Sequence, residues 1–285
     1  MEVRIKKMPL LKRSLVLVGA VASLSFYLGQ KSAGDRAPEK TPVSLPQGVF
    51  SSRVVKVYDG DTVSTQDGRK IRLLGIDTPE KGFRDEFGVY REKPAPFALQ
   101  ATERLKKLAQ DETCSFSFDK QPTDRYGRTL AFMTCRGVDV NRTMLEEGFA
   151  SVMIYPPNGS RKEEFLAVQR TAQSKGVGLW ADGIVPADAA VRHINELRVV
   201  RGIVHSVSPQ KSMIYLNFGA DYLTDFTVGI RRRDWKLFSS VGVSDPMYYA
   251  GKEISVTGRV RERNGPYIDV TIPEQIAVEH DGSGH

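Results

Sequence analysis

Apolar positions change period several times along the chain, and each change marks an element. An uncharged run, Ser14–Gln30, is rich in Leu, Val and Ala. As a helix it would rise about 25 Å, slightly less than a hydrocarbon core. Residues 31–48 carry three prolines and mixed charge and read as an extended tether. From Val54 the pattern turns to strands, with Thr62–Gln66 and Arg69–Ile76 flanking Asp67-Gly68, a hairpin signal. Phe97, Ala101, Leu105 and Leu108 keep helical spacing, and a second hairpin follows over Cys114–Lys120 and Arg128–Cys135. Val140, Met144 and Leu145 predict a short helix. Phe165, Val168 and Ala172 predict another, stopped by Gly176.

Beyond a connector with a helical stretch at 184–197, strand-like runs recur at Val199–Val207, Met213–Phe218 and Phe226–Ile230. A short helix at Arg233–Phe238 precedes two more, Ile254–Arg261 and Tyr267–Ile272. Three strands, a helix and two strands is the order of an OB-type barrel. The chain therefore divides into a hydrophobic N-terminal segment (1–30), a linker (31–50), a first domain (51–183), the connector, and a β-rich domain (198–285).

Charge sharpens this division. The formal net charge is +7, of which +5 falls in residues 1–50, +2 in 51–183 and none in 184–285. The basic excess belongs to the N-terminus, where Arg4, Lys6, Lys7, Lys12 and Arg13 precede the apolar run. That arrangement predicts a membrane anchor through residues 12–30 with the rest of the chain outside the cytoplasm, or secretion if the segment is cleaved as a signal peptide. Two cysteines exclude a disulfide-dense scaffold and a four-cysteine zinc site.

Folding the first hairpin about Asp67-Gly68 pairs residues whose numbers sum to 135, so position 63 faces 72. Asp59, Asp61 and Asp77 then converge at its open end, with Arg72 diagonal to Asp61. Converging carboxylates with only four dispersed histidines suggest a hard divalent cation with oxygen ligands. Cys114 and Cys135 are symmetric about the turn of the second hairpin and would face each other, either as a disulfide or as two buried thiols.

Three motifs occur in order: Val57-Tyr58-Asp59-Gly60-Asp61-Thr62, then Arg72-Leu73-Leu74-Gly75-Ile76-Asp77-Thr78-Pro79-Glu80, then Asp124-Arg125-Tyr126-Gly127-Arg128. Together they resemble the staphylococcal nuclease family over roughly residues 51–181. The resemblance implies an α+β fold, a five-stranded OB-type barrel with three helices, and Ca²⁺-dependent hydrolysis of DNA or RNA that leaves 3′-phosphate ends. It also implies Asp61, Asp77 and the Thr78 carbonyl as cation ligands. Arg72 and Arg128 would clamp the phosphate, Glu80 would position or deprotonate the attacking water, and Arg125, Tyr126 and Tyr155 would contact the nucleotide. Met153 stands where the family has a second tyrosine, which removes one stacking surface. A non-catalytic scaffold of the same fold is the competing expectation.

In the last domain Arg231, Arg232, Arg233, Trp235, Arg259, Arg261, Arg263 and Tyr267 offer a basic and aromatic surface for nucleic acid. The other expectation for it is packing on the first domain or docking a protein partner.

Overall fold

The computed structural model describes residues 48–84 and 89–279. The anchor segment and nearly all of the tether lie outside the described residues. Among the described residues no helix is long and apolar enough to cross a membrane.

The first barrel uses β1 (Val49–Val57), β2 (Thr62–Thr65) and β3 (Lys70–Leu73), then helix α1 (Ala98–Ala109), β4 (Thr113–Ser117) and β5 (Thr129–Cys135). β2 pairs with β1 and β3, β3 runs parallel to β5, and β4 joins β5 back to β1. The five strands therefore close on themselves. Alternate residues Ile71 and Leu73, Cys114 and Phe116, and Ala131 and Met133 point inward and are buried. Helices α1, α2 (Val140–Glu146) and α3 (Lys162–Ser174) cover the barrel with Leu105, Met144, Leu145 and Phe165. The three helices fall where the apolar spacing put them, and Gly176 follows α3 with a positive φ of 59°.

The first hairpin differs from expectation by one residue. Thr62 pairs with Arg72 and Val63 with Ile71, so paired numbers sum to 134 rather than 135. The cause is the turn: Thr65 N–H donates to Arg69 O, and Gly68 takes a φ of +83°. A three-residue loop ending in left-handed glycine replaces the two-residue turn. Both strands are also shorter than predicted. The second hairpin keeps its expected register: Cys114 faces Cys135, and the two are joined by a disulfide.

The second barrel repeats the strand order of the first. Its first strand is a broken run, β6 (Leu197–Ile203) and β7 (Ser206–Pro209). β8 (Met213–Asn217), β9 (Thr227–Arg231), α4 (Trp235–Ser240), β10 (Glu253–Arg259) and β11 (Pro266–Val270) follow. β7 pairs with β8, β8 with β9, β9 in parallel with β11, and β10 with β6. The two-residue strand Arg261–Glu262, just past β10, completes the ring by pairing with β11. The connector carries its expected helical stretch as a 3₁₀ helix, Ala187–His193, and adds a short strand, Ile184–Pro186, which pairs in parallel with β6.

The two barrels lie within one compact unit. Ile272 is buried in the core of the first barrel, and Thr271 Oγ1 donates to Ile154 O at 2.7 Å. Tyr267 and Trp235, expected on a surface, turn inward instead. Tyr267 is 1% exposed, and the ring of Trp235 stacks on Phe238 at 4.8 Å.

Candidate active site

The site is built at the open end of the β2–β3 hairpin. Asp61 immediately precedes β2, and Asp77 sits on the two-residue strand Ile76–Asp77, held by pairing with Ser151–Val152. Two glycines make the approach. A Cβ at Gly60 would come within 2.8 Å of Ala101 Cβ and Thr78 Oγ1, so only glycine lets Asp61 this close to α1. Gly75 has a φ of 76° and lies flat against the Phe165 ring, where a Cβ would come within 2.7 Å.

Asp61 is buried and saturated with donors. Its Oδ2 accepts from Thr78 N and Thr78 Oγ1, both at 2.9 Å, and faces Arg72 Nη1 at 3.0 Å. Thr62 Oγ1 donates to its Oδ1. Asp59 stands beside these two acids as expected, its Oδ1 accepting from Asp61 N at 3.1 Å. Arg72 bridges the two carboxylates, with Nη2 donating to Asp77 Oδ1 at 3.0 Å and Nη1 to Ile76 O at 2.9 Å. The one-residue register shift therefore leaves this contact intact, because the long arginine side chain absorbs it.

Sequence reasoning also misassigned Arg259, at the end of β10, to an exposed surface. Its Nη2 donates to Asp77 Oδ2 and to Thr78 O, both at 2.7 Å, and its Nη1 donates to Asn195 O at 3.2 Å. Its side chain is 4% exposed. Glu80 lies at the rim, its side chain 54% exposed, with Oε1 4.0 Å from Arg259 Nη2.

These surroundings separate the acids. Burial pushes the Asp61 carboxyl up to about 7, against the pull of Arg72 and with help from Asp59 and Asp77. Burial acts on Asp77 too, but Arg259 and Arg72 outweigh it and hold that carboxyl below the usual range. Partial desolvation raises Glu80, opposed by Arg259 and reinforced by Asp61 and Asp77.

Arg128 projects from the residue just before β5, with its Nε on Asp124 Oδ2 at 2.7 Å. Asp124 Oδ1 also accepts from the backbone of Tyr126 and Arg128, so this aspartate fixes the turn and aims the arginine together. Arg125 and Tyr126 bond to each other, Nη2 to hydroxyl at 2.6 Å, on the exposed part of the turn. Tyr155 is half exposed, whereas Met153 is buried.

Arg72, Asp77, Glu80, Asp124, Arg125, Tyr126, Arg128, Met153 and Tyr155 line one cleft of about 1040 Å³, whereas Asp61, Thr78 and Arg259 lie behind its wall. Its far wall comes from the second barrel, including Arg231, Arg261 and Arg263. Two carboxylates and a backbone carbonyl are oxygen donors of the kind a hard divalent cation takes, so the residues fit such an ion by donor chemistry. Among the described residues no group of three or more His, Cys, Asp or Glu is arranged to hold a metal. A cation here would therefore depend on Asp61, Asp77 and the Thr78 carbonyl, two of which Arg259 now contacts. The arrangement as a whole can grip a phosphodiester between guanidinium groups and present a carboxylate to a water beside it.

Comparison with known proteins agrees with this chemistry. The family model described as staphylococcal nuclease homologue matches residues 70–182. A thermonuclease of Staphylococcus hyicus is 31% identical over 172 residues, covering 59% of this chain and 95% of the relative. A thermonuclease of Staphylococcus intermedius is 33% identical over 131 residues, covering 45% of this chain and 74% of the relative. Endonuclease YncB of Bacillus subtilis is 32% identical over 135 residues, covering 44% of this chain and 59% of the relative.

Proposed function

The chain belongs to the staphylococcal nuclease family and is a phosphodiester-cleaving nuclease, and from that premise we propose that it is a Ca²⁺-dependent enzyme working outside the cytoplasm on DNA or RNA. The observation that carries this reading is the Arg72 guanidinium held between Asp61 and Asp77 at the cleft that Glu80 and Arg128 also line.

A phosphodiester resists attack because it is anionic and its transition state carries more charge. Arg72 and Arg128 supply fixed positive charge where that charge develops, and the planar fork of each matches two phosphate oxygens. Ca²⁺ held by Asp61, Asp77 and the Thr78 carbonyl would add further positive charge against the phosphate. Glu80, at the rim and in reach of water, accepts the proton of the attacking water. The water oxygen bonds to phosphorus, the P–O5′ bond breaks, and the leaving oxygen takes a proton, which leaves a 3′-phosphate.

Arg125, Tyr126 and Tyr155 would contact the nucleotide. With Met153 buried in place of an aromatic, stacking is weaker and recognition leans on the backbone. The arginines on the far wall support assigning the second barrel to the substrate rather than to a protein partner. The disulfide between Cys114 and Cys135 supports an oxidising compartment, in keeping with residues 12–30 as a membrane anchor. Digestion of single-stranded DNA tests the reading: cleavage in Ca²⁺, none in EDTA, and 3′-phosphate ends are expected. Undiminished cleavage in EDTA would remove the cation from the account.

A further inference from the structure

Arg259 belongs to the second barrel by sequence and to the nuclease site by contact. It ends β10 opposite Leu197, a position fixed by seven residue pairs between β6 and β10. Its recorded ion-pair partners, Asp77 and Glu80, are both in the first barrel. Burying a guanidinium is expensive unless it is paired and fully hydrogen-bonded. Here the pairing is supplied by two oxygens of the nuclease site, Asp77 Oδ2 and Thr78 O.

Those two oxygens are also donors that a hard cation would need. Ca²⁺ sits about 2.3–2.6 Å from its oxygen ligands, closer than the guanidinium nitrogen now stands. Both cannot hold the same pair of oxygens, and two positive groups forced together on them repel strongly in a buried setting. The charge balance points the same way. Asp61 and Asp77 already face Arg72 and Arg259, so the two buried acids are neutralised before any ion arrives.

We propose that Arg259 is a tethered competitor for the cation site: Ca²⁺ binds only when Arg259 withdraws from Asp77 and the Thr78 carbonyl, and the second barrel thereby sets the cation affinity of the nuclease. The proposal rests on the reading of Asp61, Asp77 and Thr78 as the cation's oxygens, and it concerns binding rather than cleavage. It turns a contact between two barrels into a control on the active site, because anything that shifts β10 relative to Asp77 changes how readily the ion enters.

Calorimetric titration of Ca²⁺ into the full chain, kept soluble in mild detergent, tests this without reference to hydrolysis. Arg259→Gln keeps much of the bulk but not the charge, and its Ca²⁺ affinity should exceed that of the wild type by about tenfold or more. Adding Asp77→Asn to that variant should abolish the gain. Arg259→Lys protects the fold by keeping a positive charge beside Asp77, yet its shorter side chain does not hold both oxygens. It too should gain affinity, by less than Arg259→Gln, and it carries the test if Arg259→Gln fails to unfold cooperatively. Wild-type affinity in both variants, no Ca²⁺ binding in any form, or a gain that survives Asp77→Asn would overturn the proposal. Loss of DNA cleavage with these affinities as expected would instead count against the nuclease mechanism alone.

Discussion

At the scale of single residues the site is a set of acids held at different protonation strengths by their neighbours. Asp61 and Glu80 are both raised, the first to about 7, while Arg259 and Arg72 keep Asp77 low. A general base and a cation ligand both act deprotonated, so activity should rise with pH through these raised values. The acid limb of kcat/KM against pH should therefore lie above the ordinary Glu value of 4.5, as a composite of coupled groups. A limb at the ordinary Glu position would contradict the assignment. Asp61, Arg72 and Asp77 were legible because one hairpin brings them together, whereas Thr78 and Glu80 were legible only through the motif that resembles the nuclease family. Arg259 was not, since it stands 182 residues from Asp77 and no local pattern marks a strand-end arginine as aimed at another domain.

At the scale of elements, what matters is how strands and turns hold those residues at fixed spacing. Gly75 turns the chain from β3 into the strand carrying Asp77 while pressed on Phe165. Gly75→Ala should cost about 1–3 kcal/mol through overpacking, and cleavage should fall with it because Asp77 shifts; thermal unfolding and a digestion assay read both. The bridge between Cys114 and Cys135 closes a hairpin of 21 residues' separation. Replacing both cysteines with Ala should lower stability by about 3 kcal/mol, and thiol titration of the unfolded wild type should find none free. The hairpin registers show where pattern reading stops. Cys114 opposite Cys135 followed from symmetry, but Asp67-Gly68 signalled a turn without stating its length. The extra loop residue, Gln66, then moved every pair of the first hairpin by one.

At the scale of the whole molecule two barrels of the same strand order share one compact unit and one cleft. The sequence supplied two strand sets but not their docking, which depends on Ile272 entering the first core, on Thr271 reaching Ile154, and on Arg259. The arginines across the cleft predict a substrate track longer than one nucleotide. Arg261→Gln with Arg263→Gln should weaken binding of a single-stranded oligonucleotide measured in EDTA and make it less salt-dependent, each lost phosphate contact lowering the slope by about 0.7. An unchanged slope would return the second barrel to a packing role. The central claim is that the Asp61–Arg72–Asp77 cluster with Glu80 cleaves phosphodiesters. Its most direct test is single-turnover cleavage of single-stranded DNA in Ca²⁺ by wild type, Arg72→Ala and Glu80→Gln, each checked for folding. Removing the charge that meets the transition state should slow Arg72→Ala by about 10²–10³-fold, and losing the base should slow Glu80→Gln by about 10²–10⁴-fold. Folded variants that cleave at the wild-type rate would contradict the account.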